Sequence, residues 1–254
     1  MNPRVKHICV LIAVITCITA LLGYCLFAII YFGKPSDKIT CQRVNVCIKD
    51  SATYRFTNEL EVRKHLAKHH LEPVNKLIGI KEADKIERCI KEMNVCKDAV
   101  AYMGYDGTFY IQLWQRCPVF RVMPLQGESY YIDQDRKRMP TSNNFTPYLP
   151  ILSGDINLKD AQSTYFDFME YILSDVHWKN LVAEVTVLQG KVTLTCQQGV
   201  PYVELGTLDQ YEQKMEKLRA WMEQYAHKND ANFYKKISIQ YNDLIFCTQS
   251  QPHE

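Results

Sequence analysis

The chain has 254 residues, 47% of them hydrophobic, with 30 Lys and Arg against 28 Asp and Glu. Balanced charge without a basic stripe argues against nucleic-acid binding, which requires clustered Lys and Arg. The length is sufficient for one large or two small domains with real cores.

The first element is an apolar stretch from Ile8 to Phe32 that contains no charged side chain. As a helix rising about 1.5 Å per residue, it would be roughly 37 Å long and could cross a hydrocarbon core about 30 Å thick. We therefore predict a transmembrane helix over 8–32, between a tail over 1–7 and a linker over 33–39.

The charged residues that flank this stretch predict its orientation. Arg4, Lys6 and the α-amino group precede it, whereas Asp37 offsets part of the positive charge that follows. The positive-inside rule then places the N-terminus in the cytoplasm. Two alternatives are a cleaved signal peptide, which has a shorter apolar region ending in small residues, and a lipoprotein signal, which needs small residues before an acylated cysteine.

Ten cysteines occur in the chain, and three of them lie in the apolar stretch. No C-x-x-C pair is present, which argues against a zinc knuckle or a thioredoxin-type redox motif. We expect the other seven to be buried thiols that behave as small apolar residues. One disulfide is the alternative, between Cys89 and Cys96 or between Cys41 and Cys47.

After the linker, the pattern predicts a strand and two helices. Apolar and polar residues alternate from Thr40 to Lys49, as in a strand with one buried face. Asn58 and Glu61 resemble a capping box that opens a helix, which should end before Pro73. Apolar residues spaced three or four apart predict a second helix from about Lys81.

A β-hairpin is predicted next, with strands from Ala99 to Met103 and from Thr108 to Arg116. Asp106-Gly107 favours a two-residue turn in which both central residues have positive φ. Tyr110 and Trp114 fall on the outward face of the second strand. They would either contact a partner or be covered by the neighbouring domain.

The second half predicts a mostly antiparallel β domain with two helices. The expected strands are Ser129–Asp133, Leu181–Leu188, Lys191–Cys196 and Ile237–Phe246, with a turn at Gln189-Gly190. The expected helices run from about Leu158 to Leu173 and onward from Gly206. Asn144-Phe145-Thr146 has the form of a glycosylation acceptor and is expected to be a loop.

No catalytic constellation is evident. The chain has neither a phosphate-binding Gly-Lys-Ser/Thr loop nor a G-x-S-x-G elbow. His65, His69 and His70 form a metal-like cluster, but Lys64 and Lys68 oppose a cation, so we predict a solvated helix face. We therefore expect no catalytic residue, no cofactor, no metal and no small-molecule substrate.

The element order strand, helix, helix, strand, strand beside a membrane helix resembles a POTRA domain. The segment Gln115-Arg116-Cys117-Pro118-Val119 then resembles the E-R-x-P-V/I-A signature of the bacterial cell-division family FtsQ/DivIB, with Gln115 where Glu is usual. Further motifs follow in the family's order and extend the resemblance to about Gln249. They are Tyr130-Tyr131-Ile132-Asp133, Arg138-Met139-Pro140, Leu149-Pro150-Ile151-Leu152-Ser153-Gly154, Leu205-Gly206 and Tyr241-Asn242-Asp243-Leu244-Ile245-Phe246.

The resemblance implies an α+β fold with a POTRA-like domain over 40–116, an FtsQ-type β domain over 117–249 and a tail over 250–254. It implies a non-enzymatic, single-pass protein of the bacterial inner membrane at the division septum, with most of the chain in the periplasm. Its partners would be FtsB- and FtsL-like proteins, through which septum assembly is linked to peptidoglycan synthesis. The POTRA-like domain would serve a second partner, such as FtsK.

The predicted binding mechanism is the addition of a partner strand to the sheet edge formed by the last strand. Alternation there leaves one polar face wet while Ile237, Ile239 and Tyr241 are buried. Phe246 takes the position of the family's aromatic residue, either as a partner contact or as a core aromatic. The predicted partner-binding residues are Lys236, Ser238, Gln240, Tyr241, Asn242 and Phe246.

Two other classes of function remain as alternatives. A membrane-tethered periplasmic enzyme would need a convergent nucleophile or metal set. A POTRA-containing component of outer-membrane assembly or secretion would be expected to carry repeated POTRA units.

Overall fold

The computed structural model describes residues 3–32, 38–197, 202–225, 234–241 and 244–249. Helix α1 spans Pro3–Phe32 and so includes most of the predicted tail over 1–7. Its side chains are described over 12–28, where nearly all are exposed. Over the residues whose side chains are described, which in α1 are 12–28, no helix is both long and apolar enough to cross a membrane. Most of the predicted linker and the whole predicted tail over 250–254 lie outside the described ranges.

The first folded unit is a three-stranded sheet with two helices, as predicted. The elements are β1 Ile39–Thr40, β2 Arg43–Ile48, α2 Glu59–Lys68, β3 Leu77–Ile78, α3 Ile80–Lys91, β4 Cys96–Met103 and β5 Thr108–Gln115. The sheet order is β2-β5-β4, with β2 parallel and β4 antiparallel to the central β5. A short antiparallel pair, β1 with β3, was not predicted.

Local side-chain contacts explain where the two helices of this unit begin. The Asn58 side chain accepts a hydrogen bond from the Glu61 backbone N–H at 3.0 Å, which confirms the predicted cap of α2. Glu82 accepts one from the Gly79 backbone N–H at 3.1 Å and closes the start of α3. Burial of Ile86 and Ile90 on the apolar face of α3 contributes about 1.5–3 kcal/mol for each side chain.

The hairpin β4–β5 is confirmed, but its predicted two-residue turn is wrong. The Gly107 N–H donates to the Gly104 carbonyl at 3.2 Å, which closes a four-residue turn. Gly107 adopts a positive φ of 76°, and Asp106 is not among the positive-φ residues. Asp106 instead accepts hydrogen bonds from the Thr108 N–H at 3.0 Å and from its hydroxyl at 2.8 Å. These bonds satisfy the aspartate without a left-handed backbone.

The outward face of β5 is covered only in part. Tyr110 and Trp114 are half-buried, and Tyr110 stacks on Tyr102 with 5.3 Å between ring centroids. The inward residues Phe109 and Leu113 are fully buried, so the predicted alternation along this strand is confirmed.

The second folded unit is built on a nine-stranded mixed sheet. The strands are β6 Pro118–Pro124, β7 Tyr130–Asp133, β8 Arg138–Pro140, β9 Ile151–Gly154, β10 Val182–Leu188, β11 Lys191–Cys196, β12 Tyr202–Gly206, β13 Tyr234–Ser238 and β14 Phe246–Gln249. They lie in the order β14-β13-β12-β11-β10-β9-β6-β7-β8. The parallel pairs are β6 with β9, β9 with β10, and β12 with β13. The helices are α4 Leu158–Ala161, α5 Thr164–Ser174, α6 Val176–Leu181 and α7 Tyr211–Tyr225.

The predicted helix from Leu158 to Leu173 is divided in the structure. Ser163, between α4 and α5, has non-helical dihedrals, and its hydroxyl donates to the Lys159 carbonyl at 2.8 Å. Such back-bonding competes with the helical ladder. Asp175 then ends α5 and caps α6, accepting from the His177 N–H at 2.8 Å. The unit therefore has four helices in its described part rather than the predicted two.

The predicted final strand Ile237–Phe246 is also wrong. The chain forms β13 and then folds back as β14, which pairs antiparallel with β13 so that Phe246 lies opposite Ser238. Residues 242–243, in the connection, lie outside the described part. Ile237 and Ile239 are fully buried, as expected.

Each unit has its own apolar core, and a third apolar cluster joins the two units. Phe56 from the first unit packs with Tyr131 and Met139 from the second, and all three are buried. Close by, an Arg116 guanidinium nitrogen donates to Asp133 Oδ2 at 2.7 Å, and both side chains are largely buried. Only two residues separate β5 from β6, so these contacts fix how the two sheets meet.

The described cysteines are all free thiols. Neither alternative disulfide, Cys89 with Cys96 or Cys41 with Cys47, is formed. Of the seven expected to be buried, Cys41, Cys89 and Cys96 are buried, Cys117, Cys196 and Cys247 are half-buried, and Cys47 is exposed, so for Cys47 the expectation is wrong. Burial raises the pKa of Cys96 to about 11.

Candidate partner-binding edge

The large sheet ends in two edge strands, β14 and β8. A strand at a sheet edge leaves alternate backbone N–H and C=O groups free to pair with another chain. β8 has three residues and ends in Pro140, which has no N–H to donate. β14 has four residues without proline and is therefore the better template for an added strand.

Exposed apolar side chains surround β14. Leu244 and Phe246 point outward and are 58% and 52% exposed, whereas Ile245 and Cys247, between and after them, pack against the core. Tyr241 is 55% exposed and meets Phe246 edge to face, with 5.8 Å between ring centroids. We call Tyr241, Leu244 and Phe246 the edge cluster. Aromatic anchors of this kind carry much of the binding energy at protein interfaces.

Several predicted site residues take positions other than those expected. Ser238 was predicted on a wet face but is only 4% exposed, because β12 and β14 flank it and the larger Phe246 lies directly opposite. Tyr241 was predicted to be buried but is exposed, because it lies beyond β13, where strand alternation no longer applies. Gln240 is half-buried beyond the end of β13. Asn242 lies outside the described residues.

Side chains of neighbouring elements hold β13 and the connection after it. Lys236 Nζ donates to Glu204 Oε1 of β12 at 2.8 Å, and this hydrogen bond raises the pKa of Lys236. Lys217 Nζ of α7 donates to the Tyr241 carbonyl oxygen at 2.5 Å. The Ile239 N–H donates to the Glu204 carbonyl at 2.9 Å and continues the pairing past Ser238. These contacts hold β13 and the backbone of Tyr241 in place beside the edge cluster.

The groups at this edge are suited to binding another chain. Within the described ranges, no strand pairs with the outer side of β14, so its backbone donors and acceptors, together with the apolar edge cluster, suit an extended peptide. Burial raises the pKa of the Cys247 thiol, so at neutral pH it is protonated and a poor nucleophile. Leu244 is the residue of this surface that the sequence prediction missed, although it stands within the Tyr241 to Phe246 motif.

The residue Gln115 has a structural role at the joint between the units. Its side-chain N–H₂ donates to Asp50 Oδ1 at 3.0 Å and to the Tyr54 carbonyl at 2.8 Å. Its side-chain oxygen accepts from the Thr57 N–H at 3.1 Å. Gln115 is 1% exposed, so this network ties the loop before α2 to the end of β5.

The histidine cluster on α2 differs in part from its prediction. His69 and His70 are exposed, as expected of a solvated face. His65 is half-buried, with Nε2 3.0 Å from the Cys89 carbonyl of α3, so for this residue the prediction is wrong. His65 and Cys89 are 24 positions apart, and no sequence signal joins them.

Comparison with known proteins supports the resemblance inferred from the motifs. The family model described as FtsQ/DivIB, C-terminal related, matches residues 117–248, and the model described as a POTRA-like domain matches residues 39–114. A search of curated proteins found no match. The first match covers more than half of the chain and includes β6 to β13, the edge cluster and all of β14 except Gln249. The chain therefore belongs to the FtsQ/DivIB C-terminal related family and carries a POTRA-like domain.

Proposed function

We propose that this chain is a non-enzymatic scaffold of the bacterial divisome that binds FtsB- and FtsL-like proteins by strand addition to β14. Membership of the FtsQ/DivIB family supports a role in cell division. The observation that carries the binding mode is the open edge of β14 beside the edge cluster. Through these partners, the scaffold links septum assembly to peptidoglycan synthesis.

The binding energy in this proposal comes from two sources. Backbone pairing with β14 positions the partner segment, and its side chains cover the edge cluster. Phe246 is 52% exposed, so covering the rest of its side chain would contribute about 1 kcal/mol. Tyr241 and Leu244 have similar exposed fractions, so the partner residues that face them would have to be apolar.

We further propose that α1 anchors the chain in the inner membrane with its N-terminus in the cytoplasm. Residues Ile8 to Phe32 carry no charge, and the described side chains of α1 are exposed apolar groups such as Leu21, Leu22 and Phe27. Apolar side chains that face outward around a whole helix suit a lipid environment. The remaining chain would lie in the periplasm at the septum, as a POTRA-like domain over 40–116 and an FtsQ-type domain over 117–249.

The POTRA-like domain is proposed to bind a second divisome protein such as FtsK. The family match over residues 39–114 supports a separate domain there, and the proposal assigns that domain a binding role. Retention of FtsK by a chain whose β14 edge is blocked would separate the two binding surfaces.

The test is recovery of partners from membranes with the full chain and with Phe246→Asp, read by mass spectrometry. A charge at the edge should oppose burial of the cluster and reduce FtsB- and FtsL-like proteins at least about fivefold, equivalent to about 1 kcal/mol. Tyr148→Asp is the matched control, because Tyr148 is 95% exposed and precedes β9 at mid-sheet. Equal recovery with all three chains would contradict strand addition at β14.

Truncation before Lys235 is a weaker test of the same idea. It would remove Ile237 and Ile239, which are fully buried, together with both last strands. Loss of partners could then follow from loss of the fold, whereas Phe246→Asp leaves the core intact. Circular dichroism of each variant should match that of the unmodified chain.

A further inference from the structure

Three potential metal ligands meet between the two helices of the POTRA-like domain. His65 and His69 are four residues apart on α2, and their ring centroids are 4.7 Å apart. Cys89 of α3 lies against them, and one ligand atom from each of the three residues falls within 4.8 Å of the other two. Cys89 is a buried free thiol, His65 is half-buried and His69 is exposed.

This geometry is close to that of a tetrahedral zinc site. Zinc bonds of about 2.0–2.1 Å to nitrogen and 2.3 Å to sulfur separate neighbouring ligand atoms by roughly 3.3–3.6 Å. The three ligand atoms would have to approach one another by roughly 1.5 Å at most. Rotations of the side chains can supply that movement. The exposed position of His69 leaves the fourth coordination position open toward solvent.

The charges around the cluster permit a cation. Arg63 is held away by Glu59, whose Oε1 lies 2.7 Å from the guanidinium, and by the Val44 carbonyl at 2.8 Å. Glu92 follows α3 and is close enough for its carboxylate to raise the pKa of the Cys89 thiol, after the larger effect of burial. Glu61 and Glu92 line the same cavity as His65, and so do Lys64 and Lys68, so two carboxylates balance the two ammonium groups there.

We propose that His65, His69 and Cys89 form a binding site for a thiolate-seeking transition-metal cation, zinc(II) above all. On binding, the Cys89 S–H bond breaks, its proton passes to water and the thiolate bonds to zinc with no change of oxidation state. The imidazoles bind as neutral ligands. The bound ion would join α2 to α3 and stabilise the POTRA-like domain, independently of the edge at β14.

The test uses the full chain with zinc(II), and with cobalt(II) as a spectroscopic probe of thiolate ligation. We expect one ion per chain and a sulfur-to-cobalt charge-transfer band. Cys89→Ala should remove the band, and His69→Gln should weaken binding by at least about tenfold. His69 is exposed, so His69→Gln keeps the result interpretable if Cys89→Ala fails to fold.

Two controls distinguish this site from adventitious binding. Cys47→Ser removes an exposed thiol of the same unit, and His70→Asn removes the neighbouring histidine at a positive φ of 58°, which asparagine tolerates. Both should bind zinc as the unmodified chain does. The proposal is overturned if the unmodified chain binds no ion, or if binding survives His69→Gln and Cys89→Ala unchanged.

Discussion

Replacing Gln115 by glutamate should destabilise this chain, although glutamate is usual at this position of the signature that Gln115 begins. The Gln115 side-chain N–H₂ donates to Asp50 Oδ1 at 3.0 Å and to the Tyr54 carbonyl at 2.8 Å. A glutamate carboxylate has no proton to donate and would place its charge against that of Asp50. The Thr57 N–H would keep its acceptor.

The expected cost follows from these contacts. A hydrogen bond to a charged group contributes about 1.5–3 kcal/mol and a neutral one about 0.5–1.5 kcal/mol. Gln115 is 1% exposed, so water cannot replace either donor. We expect Gln115→Glu to lower the free energy of unfolding by about 2–4 kcal/mol at pH 7.

The assay is equilibrium unfolding in denaturant, followed by circular dichroism. Gln112→Glu on the same strand is the matched control, because Gln112 is half-buried on the outward face, and its change should stay within about 0.5 kcal/mol. Burial and the charge of Asp50 raise the pKa of the introduced carboxyl in the folded state. The part of the penalty that comes from the charge is therefore full above that folded-state pKa and is lost below about pH 4, where the unfolded chain is also protonated. The protonated carboxyl donates one hydrogen bond where the Gln115 amide donates two, so the cost of one unpaired acceptor remains.

A double variant tests the cause. Asp50→Asn supplies an amide that can donate to the carboxylate of Gln115→Glu, so it should recover part of the lost stability and leave the contact to Tyr54 unsatisfied. If Gln115→Glu is as stable as the unmodified chain at pH 7, the hydrogen-bond account of Gln115 is refuted.

Two further predictions concern the backbone and the thiols. Gly154→Ala should lower the free energy of unfolding, measured by thermal unfolding, by about 3 kcal/mol or more, since Gly154 has a φ of 111° and an added Cβ would collide with the Val187 carbonyl. Gly127 has a φ of 96° but open space around it, so Gly127→Ala should lower it by about 1 kcal/mol. Equal losses in the two variants would contradict the collision. At pH 8, iodoacetamide should modify exposed Cys47 at least about a hundredfold faster than buried Cys96, because the Cys96 pKa of about 11 leaves roughly one thiol in a thousand ionised. Peptide mass spectrometry measures both rates. Similar rates would contradict the burial of Cys96.

Features with a local cause were predicted well from the sequence. The Asn58 cap needs only the Glu61 N–H three residues away. The turn at Gln189-Gly190 is confirmed, with positive φ values of 52° and 73° at the two residues. The alternation along β5 is likewise a property of one strand and its period of two.

Features that depend on contacts distant in sequence were predicted poorly. One local feature was also missed, because a continuous apolar pattern from Leu158 concealed the break at Ser163, whose hydroxyl bonds to the Lys159 carbonyl four residues before it. The run from Ile237 to Phe246 has the composition of one strand, and only pairing in space shows that it folds back on itself. For the edge, the family motif placed Phe246 at the end of the last strand, whereas Phe246 begins β14, and Ser238 and Tyr241 exchanged their expected burial.

The short joint between the two units has a mechanical consequence. Only Arg116 and Cys117 connect β5 to β6, and the buried Arg116–Asp133 pair and the packing of Phe56 brace that connection. Tension applied between α1 and the β14 edge has to pass through it. A braced joint transmits displacement rather than absorbing it, so a force applied at the β14 edge of the large sheet would turn the POTRA-like unit together with that sheet.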